Sequence, residues 1–203
     1  MCIRDRLTDL HISGLFPEAW AHAVVERTNA LGADAILITG DLMDGTLENR
    51  RDDVAPLAGL HAADGVFVIP GNHEYYFGYE PWMQHYVSLG MQRLSNSHAF
   101  IERDGARLAI AGVTDPAGPS RGLPGPDVAA AVEGIPAEVP IILLDHQPKN
   151  ARDAARKGVA LQLSGHTHGG MIVGMDRIVA RANNGFVSGR YNVDGMTLYV
   201  SNG

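Results

Sequence analysis

Five short polar clusters in this chain combine residue types that hold divalent metal ions. They are Asp9 with His11; Gly40-Asp41 with Asp44; Gly71-Asn72-His73-Glu74; His146; and Gly165-His166-Thr167-His168-Gly169. Imidazole nitrogens and carboxylate oxygens together suit manganese, iron or zinc better than calcium or a thiolate-bound metal. Asp-x-His and His-x-His set two donors two residues apart. In an extended stretch such side chains point the same way, so each pair addresses one site. The single cysteine, Cys2, provides neither an intramolecular disulfide nor a thiolate zinc site, and it lies far from these clusters. A lone histidine at a strand end is more often a hydrogen-bonded structural residue than a ligand, and Gly-Asn-His by itself is a weak signal. The specificity lies in five such clusters occurring together and in this order.

The elements that must position them follow from the apolar patterning. Ala35 to Thr39, Val66 to Ile69, Pro140 to Leu144 and Ala160 to Leu163 read as buried strands, each running directly into one of the clusters. Helices are expected over Pro17 to Leu31, closed by Gly32; over Arg51 to Ala63; over Tyr79 to Leu89; and over Lys149 to Lys157, closed by Gly158. Asp104-Gly105 and Asp194-Gly195 are hairpin turn signals, the first between Phe100-Ile101 and Leu108 to Ala111. The Pro- and Gly-rich stretch from Asp115 to Pro126 reads as a surface loop. Strands that alternate with helices early and form hairpins later predict a single α/β domain over residues 1–203, with mixed sheets covered by helices. In such sheets the loops beyond the carboxyl ends of neighbouring strands converge on one crevice. Glycines beside Asp41, Asn72 and His166 are expected to permit tight turns there.

Lys and Arg number 16 against 23 Asp and Glu, a formal charge of −7. That balance argues against a phosphate-tracking surface for nucleic acid. No run approaches the ~18 apolar residues of a membrane span, so the chain reads as a soluble domain. Arg4-Asp5-Arg6 stands where an apolar strand should lead into Asp9, and the strand-like Met196 to Val200 stops at Gly203. Both features predict a domain truncated at each end, with residues 1–6 foreign to it.

In order, Asp-x-His, Gly-Asp-x-x-Asp, Gly-Asn-His-Glu, His and Gly-His-x-His resemble the signature of the calcineurin-like metallophosphoesterases, over Leu7 to Gly203. Leu143-Leu144-Asp145-His146-Gln147-Pro148 and Leu161 to Gly170 are similar to a bacterial branch typified by YkuE and YaeI. That branch contains phosphodiesterases that are commonly membrane-associated. The resemblance implies a layered α-β-β-α sandwich of two mixed sheets flanked by helices. It also implies two divalent ions (manganese, iron or zinc), the first held by Asp9, His11, Asp41 and His168, the second by Asp41, Asn72, His146 and His166. Asp41 then bridges, its two anionic oxygens reducing the repulsion between cations. His73 is implied to stay uncoordinated and act on the substrate, with Asp44 as its orienting partner; a cap or turn residue is the plainer role for Asp44.

The expected activity is hydrolysis of a small-molecule or lipid-like phosphate ester, most simply a diester, by a hydroxide shared between two cations ~3.5–4 Å apart. A membrane anchor upstream of residue 1 is implied by the branch. A nuclease of the same superfamily is disfavoured by the acidic charge. A metal-binding scaffold without activity should have lost ligands or the histidine after Asn72. Tyr75, Tyr76, Phe77, Tyr79, Trp82 and Met83 either line a substrate pocket or pack a helix. Arg121 either meets a phosphate or is solvated. His22, His61, His85 and His98 match no motif and read as structural or surface residues.

Overall fold

The structure, a computed structural model, describes residues 5–170 and 176–203. Ten strands and seven α-helices follow one another among these residues. The strands are β1 (Asp5–Leu7), β2 (Ile36–Ile38), β3 (Val66–Val68), β4 (Gln92–Arg93), β5 (Ser97–Arg103), β6 (Ala106–Gly112), β7 (Ile141–Leu144), β8 (Leu161–Ser164), β9 (Gly189–Val193) and β10 (Met196–Val200). The helices are α1 (Glu18–Ala30), α2 (Leu47–Val54), α3 (Asn72–Phe77), α4 (Tyr79–Ser88), α5 (Val128–Val132), α6 (Ala151–Arg156) and α7 (Asp176–Ala182).

Two sheets form, one in the order β1-β2-β3-β4 and the other β5-β6-β7-β8-β10-β9. The six-stranded sheet is mixed, with antiparallel pairs β5–β6 and β9–β10 around a parallel centre. The four-stranded sheet is parallel in every described pairing. Its strands β2, β3 and β4 are each reached through a helix, so no hairpin joins them, and the sheet departs in this from the mixed one expected.

The period of two along each strand sorts its side chains between layers. Ile36, Ile38, Val66 and Val68 pack outward with α1 and α4, alongside Ala21, Val25, Trp82, Met83 and Tyr86. Leu37, Phe67 and Ile69 point inward to meet Ile110, Ile142, Leu144 and Leu163 of the other sheet. Ala109, Ala111, Ile141 and Leu143 turn to the far face, under Val128, Ala131, Ala151 and Ala154 of α5 and α6. Both faces of the central strands are therefore covered, which is why they read as unbroken apolar runs. The result is the α-β-β-α sandwich.

Both hairpins turn as expected. Asp104 and Gly105 have φ of 52° and 76°, and Asp194 and Gly195 of 51° and 92°, the positive values a two-residue turn between twisted strands requires. Two helices differ from expectation. The segment expected as a helix over Arg51 to Ala63 starts earlier, at Leu47, and stops at Val54, passing into a 3₁₀ turn over Ala55–Gly59. Pro56 lacks the N–H that would continue the α ladder. The Lys149 to Lys157 segment likewise opens with a 3₁₀ turn at Pro148–Asn150 before α6. The short helices α3, α5 and α7 carry too few turns for a periodic signal. Asp115, expected at the head of a surface loop, is buried.

Of the opening segment, residues 1–4, including Cys2, lie outside the described residues. Asp5–Leu7 pairs with Ile36–Ile38 in the slot where a strand was expected. A charge is accommodated there because β1 ends its sheet in the described order: the Arg6 guanidinium reaches across to the Ser164 carbonyl at 2.6 Å and lies 5.1 Å from the Tyr199 ring centre. Among the described residues no helix is long and apolar enough to cross a membrane.

Gly112 stands at a tight contact between the layers. A Cβ there would lie 2.5 Å from both Ile69 Cγ2 and Leu94 Cβ. Gly112→Ala is expected to destabilise the domain by about 1–3 kcal/mol through overpacking. The expected outcome is a lowered Tm in thermal unfolding; an unchanged Tm would contradict this picture of the seam.

Candidate metal centre

The five clusters all follow strands β1, β2, β3, β7 and β8, at the carboxyl edge of the two sheets. The first two loops run side by side, because Asp9 N–H donates to the Gly40 carbonyl at 3.0 Å and His11 N–H to that of Asp41 at 3.1 Å. This continues the β1–β2 pairing out to an isolated bridge between Ile12 and Met43. Asp9, His11, Asp41, His166 and His168 have φ between 45° and 72°. That left-handed region costs a side chain about 1–2 kcal/mol per residue. Five such positions in one locality are a concentration of backbone strain at the site.

The glycines serve differently from the turn role expected of all three. Gly40 does have a positive φ, 92°, but neither Gly71 nor Gly165 does. What they lack is room. A Cβ on Gly71 would stand 2.2 Å from Asp41 Oδ1, and one on Gly165 2.1 Å from Asp9 Oδ2. The backbone must come that close to the carboxylates, and only glycine permits it.

Asp9, His11 and His168 form one group, with His11 Nε2 3.2 Å from His168 Nε2, and Asp9 Oδ1 at 4.0 and 3.5 Å from the two. Asp41, His146 and His166 form a second. There His146 Nε2 lies 3.1 Å from Asp41 Oδ2 and 3.1 Å from the amide oxygen of Asn72. His146 Nδ1 faces the Thr39 carbonyl at 2.8 Å, and since a carbonyl only accepts, Nδ1 carries the proton. A neutral His146 ring then presents a bare Nε2 lone pair to two oxygens that also have no proton to give. A cation between them resolves the repulsion, and this donor set fits a divalent ion of the nitrogen- and oxygen-binding kind.

Electrostatics agree with that fit. Burial would raise the Asp41 carboxyl, but His146 and His73 outweigh it and hold it well below the usual carboxylate range. Burial would lower the His146 imidazole, but the Asp41 anion, helped by Asp9 and Asp115, raises it well above its ordinary value. The same anions that favour a proton on His146 favour a metal ion in its place. His166 is pushed down to about 4, first by burial and then by the neighbouring His146 charge, which leaves its ring neutral at pH 7.

Asp44 Oδ1 accepts from His73 Nδ1 at 2.5 Å and from His11 Nδ1 at 3.0 Å. His11, Asp44 and His73 form a third group of potential ligands, in which the bonded protons already satisfy the carboxylate oxygen. His73 is also tied to Asp41, its backbone N–H donating to Oδ1 at 2.8 Å and its Nε2 lying 3.9 Å from Oδ2. All nine expected site residues thus gather in one locality. Asp9 and His146 are buried beneath, and the other seven line an open cleft of about 670 Å³ together with Phe16 and Asn202.

Tyr75, Tyr79, Trp82 and Met83 pack in the core, whereas Tyr76 is half exposed, 5.5 Å from the His73 ring and capped by Arg121 at 4.8 Å. His98 bonds the Ala131 carbonyl, and His22, His61 and His85 lie away from the centre on helix or loop surfaces. Sequence reasoning missed the parts played by Thr39, Phe16 and Glu74. A signal existed for Glu74 alone: it stands three residues after Gly71, the spacing at which a Glu reaches back to an N-cap N–H.

A profile of the family described as calcineurin-like phosphoesterase matches residues 7–170. A metallophosphoesterase of Helicobacter pylori strain J99 is 35% identical over 199 residues, 97% of this chain and 52% of that protein. A transmembrane protein with metallophosphoesterase domain from Danio rerio is 35% identical over 206 residues, covering 97% and 47% of the two chains. YkuE of Bacillus subtilis is 29% identical over 171 residues, 82% of this chain and 58% of YkuE. The chain spans about half the length of the first two of these relatives. Among solved structures, the calcineurin-like phosphoesterase YfkN of Bacillus subtilis superposes with a TM-score of 0.59 at 17% identity, over 96% of this chain and 79% of YfkN, a likeness of fold. With its layered sheets, its clustered Asp, Asn and His side chains and these relatives, the chain belongs to the calcineurin-like phosphoesterase family.

Proposed function

We propose that this chain is the catalytic domain of a metal-dependent phosphodiesterase that acts on a small-molecule or lipid-like phosphate ester through two divalent ions. The observation that carries the reading is the meeting of His146 Nε2, Asp41 Oδ2 and Asn72 Oδ1, three lone-pair atoms with no proton among them when the ring is neutral. Asp9, His11, Asp41 and His168 would hold one ion, and Asp41, Asn72, His146 and His166 the other. Asp41 is common to both sets and needs two anionic oxygens to serve them. When bound, such a pair supplies Lewis-acid charge for the phosphoryl oxygens and for a water nucleophile.

The remaining steps belong to the chain's own side chains. The Nδ1 proton of His73 is engaged by Asp44, which fixes the ring and leaves Nε2 to face the cleft. With Nδ1 held by Asp44, Nε2 is the atom of the ring placed to give a proton to the oxygen of the departing alcohol. His11, bonded to the same carboxylate oxygen, keeps its own Nε2 lone pair directed at Asp9 and His168. Phe16, 45% exposed on the cleft wall, offers apolar contact to the organic part of the ester, which suits an aryl or alkyl group better than a second charge.

Metal analysis of the purified chain, followed by assays on an aryl phosphate diester and the matching monoester, tests the reading. Two equivalents of divalent metal and faster turnover of the diester are expected, with both lost to a chelator. A chain that binds metal and turns over neither ester would be a scaffold instead.

Replacing His73 by Ala should leave both metals bound while kcat falls by roughly 10²–10⁴-fold, the usual range for a positioned general acid. The loss should be smaller for a nitrophenyl ester than for an alkyl ester, whose leaving oxygen needs the proton more. Asp44→Asn should give a weaker form of the same pattern. Stoichiometric loss of a metal from the His73→Ala protein would move His73 into the ligand set. Asp41→Ala, by contrast, should abolish metal binding and turnover together, as read by metal content after dialysis; retention of two metals would refute the bridge.

A further inference from the structure

Glu74 is fully buried and makes four hydrogen bonds, none of them to an Arg, Lys or His side chain. One carboxylate oxygen, Oε2, accepts from the backbone N–H of Gly71 at 2.7 Å and of Asp41 at 3.1 Å. The other, Oε1, accepts from the backbone N–H of Leu42 at 3.0 Å and from the hydroxyl of Tyr86 at 3.0 Å. A carboxylate has about four lone-pair positions, and all of them are used.

The four donors come from three different parts of the chain. Asp41 and Leu42 lie in the loop after β2, Gly71 in the loop after β3, and Tyr86 on α4, fully buried in the outer core. The two loops are the ones that carry Asp41 and Asn72. Their backbones touch, since a Cβ on Gly40 would stand 2.3 Å from Gly71 N. Asp41 is held in the left-handed region at φ 54°, a conformation that persists only when its surroundings enforce it.

Packing by itself does not call for an acid here. An ionisable group in a dry interior is costly, and a neutral side chain of similar shape would fill the space. A glutamine, however, has one acceptor oxygen and turns its NH₂ toward N–H donors that need acceptors. The carboxylate is the group that satisfies every donor at once.

We infer that Glu74 is a positioning residue that ties the Asp41 loop to the Asn72 loop and to α4, and so sets the separation of Asp41 from Asn72, two ligands of the second metal site. The inference rests on the metal-centre reading above. Its consequence is that metal affinity depends on a side chain that touches neither ion nor substrate. Outer partners of metal ligands typically govern affinity by roughly 10–100-fold.

The test is a calorimetric titration of the whole chain with Mn²⁺, alongside kcat and KM for an aryl phosphate diester at saturating Mn²⁺. Glu74→Gln, Tyr86→Phe and a control, Leu198→Ala, are compared with the unaltered protein. Leu198 is fully buried in the outer cluster on the far face of the other sheet, so its truncation lowers stability away from the centre. Glu74→Gln is expected to weaken Mn²⁺ binding by roughly 10–100-fold and to lower kcat with KM little changed. Tyr86→Phe, which removes one of the four donors, should show a smaller loss in the same direction and serves as the deciding variant if Glu74→Gln does not fold. Leu198→Ala should bind Mn²⁺ as the unaltered protein does. Wild-type affinity in Glu74→Gln, or in Tyr86→Phe where that variant decides, would overturn the inference, as would an equal loss in Leu198→Ala. Failure of the unaltered chain to bind Mn²⁺ would overturn the metal reading itself, a result distinct from either.

Discussion

An imidazole nitrogen, a carboxylate oxygen and an amide oxygen facing one another at hydrogen-bonding distance are an unstable arrangement without a positive charge between them. His146, Asp41 and Asn72 are in that position; because the Thr39 carbonyl takes the Nδ1 proton on the opposite side of the ring, the charge between them must come from a second imidazole proton or from a metal ion in its place. Much of the surrounding architecture maintains this contact. Strands β2, β3 and β7 deliver the three residues from two different sheets, so the sheets must meet closely at that edge. Gly71 and Gly165 lack side chains because carboxylates occupy the space, and five polar residues accept left-handed backbone to aim inward. Strain of that kind is tolerated where the rest of the fold compensates for it.

The compensation is the doubly covered core. Alternate residues of β2, β3, β6 and β7 fill the interior between the sheets and the layers beneath the helices. Rigid strands of this kind end at the same edge, which makes the loop positions reproducible to the precision that metal coordination demands. Glu74 and Tyr86 extend that rigidity into the loops, linking the buried face of α4 to the backbone on either side of Asp41.

Much of this was legible in the residues before any coordinates. The buried strands announced themselves as apolar runs because both faces are covered, and the Asp-Gly turns because few other pairs accept two positive φ values. That the nine candidate residues gather at one edge was legible because each cluster follows a strand. What was not legible depended on contacts between distant segments. The glycines at 71 and 165 looked like turn residues, and only the proximity of Asp41 and Asp9 reveals their purpose. Glu74 carried a local capping signal, yet two of its partners lie more than 30 positions earlier in the chain. The aromatic run after His73 was ambiguous between pocket and core, and the fold divides it, burying Tyr75, Tyr79 and Trp82 while leaving Tyr76 half exposed. The helix expected over Arg51 to Ala63 is cut short at Pro56, whose missing N–H outweighs the helical pattern around it.

The proposed metal centre depends on two cations sharing Asp41. Electron paramagnetic resonance of the chain loaded with two equivalents of Mn²⁺ reports on this directly, because ions ~3.5–4 Å apart interact magnetically. A spin-coupled signal that Asp41→Ala abolishes is the result predicted. A spectrum of isolated, uncoupled Mn²⁺ at full occupancy would contradict a bridged pair.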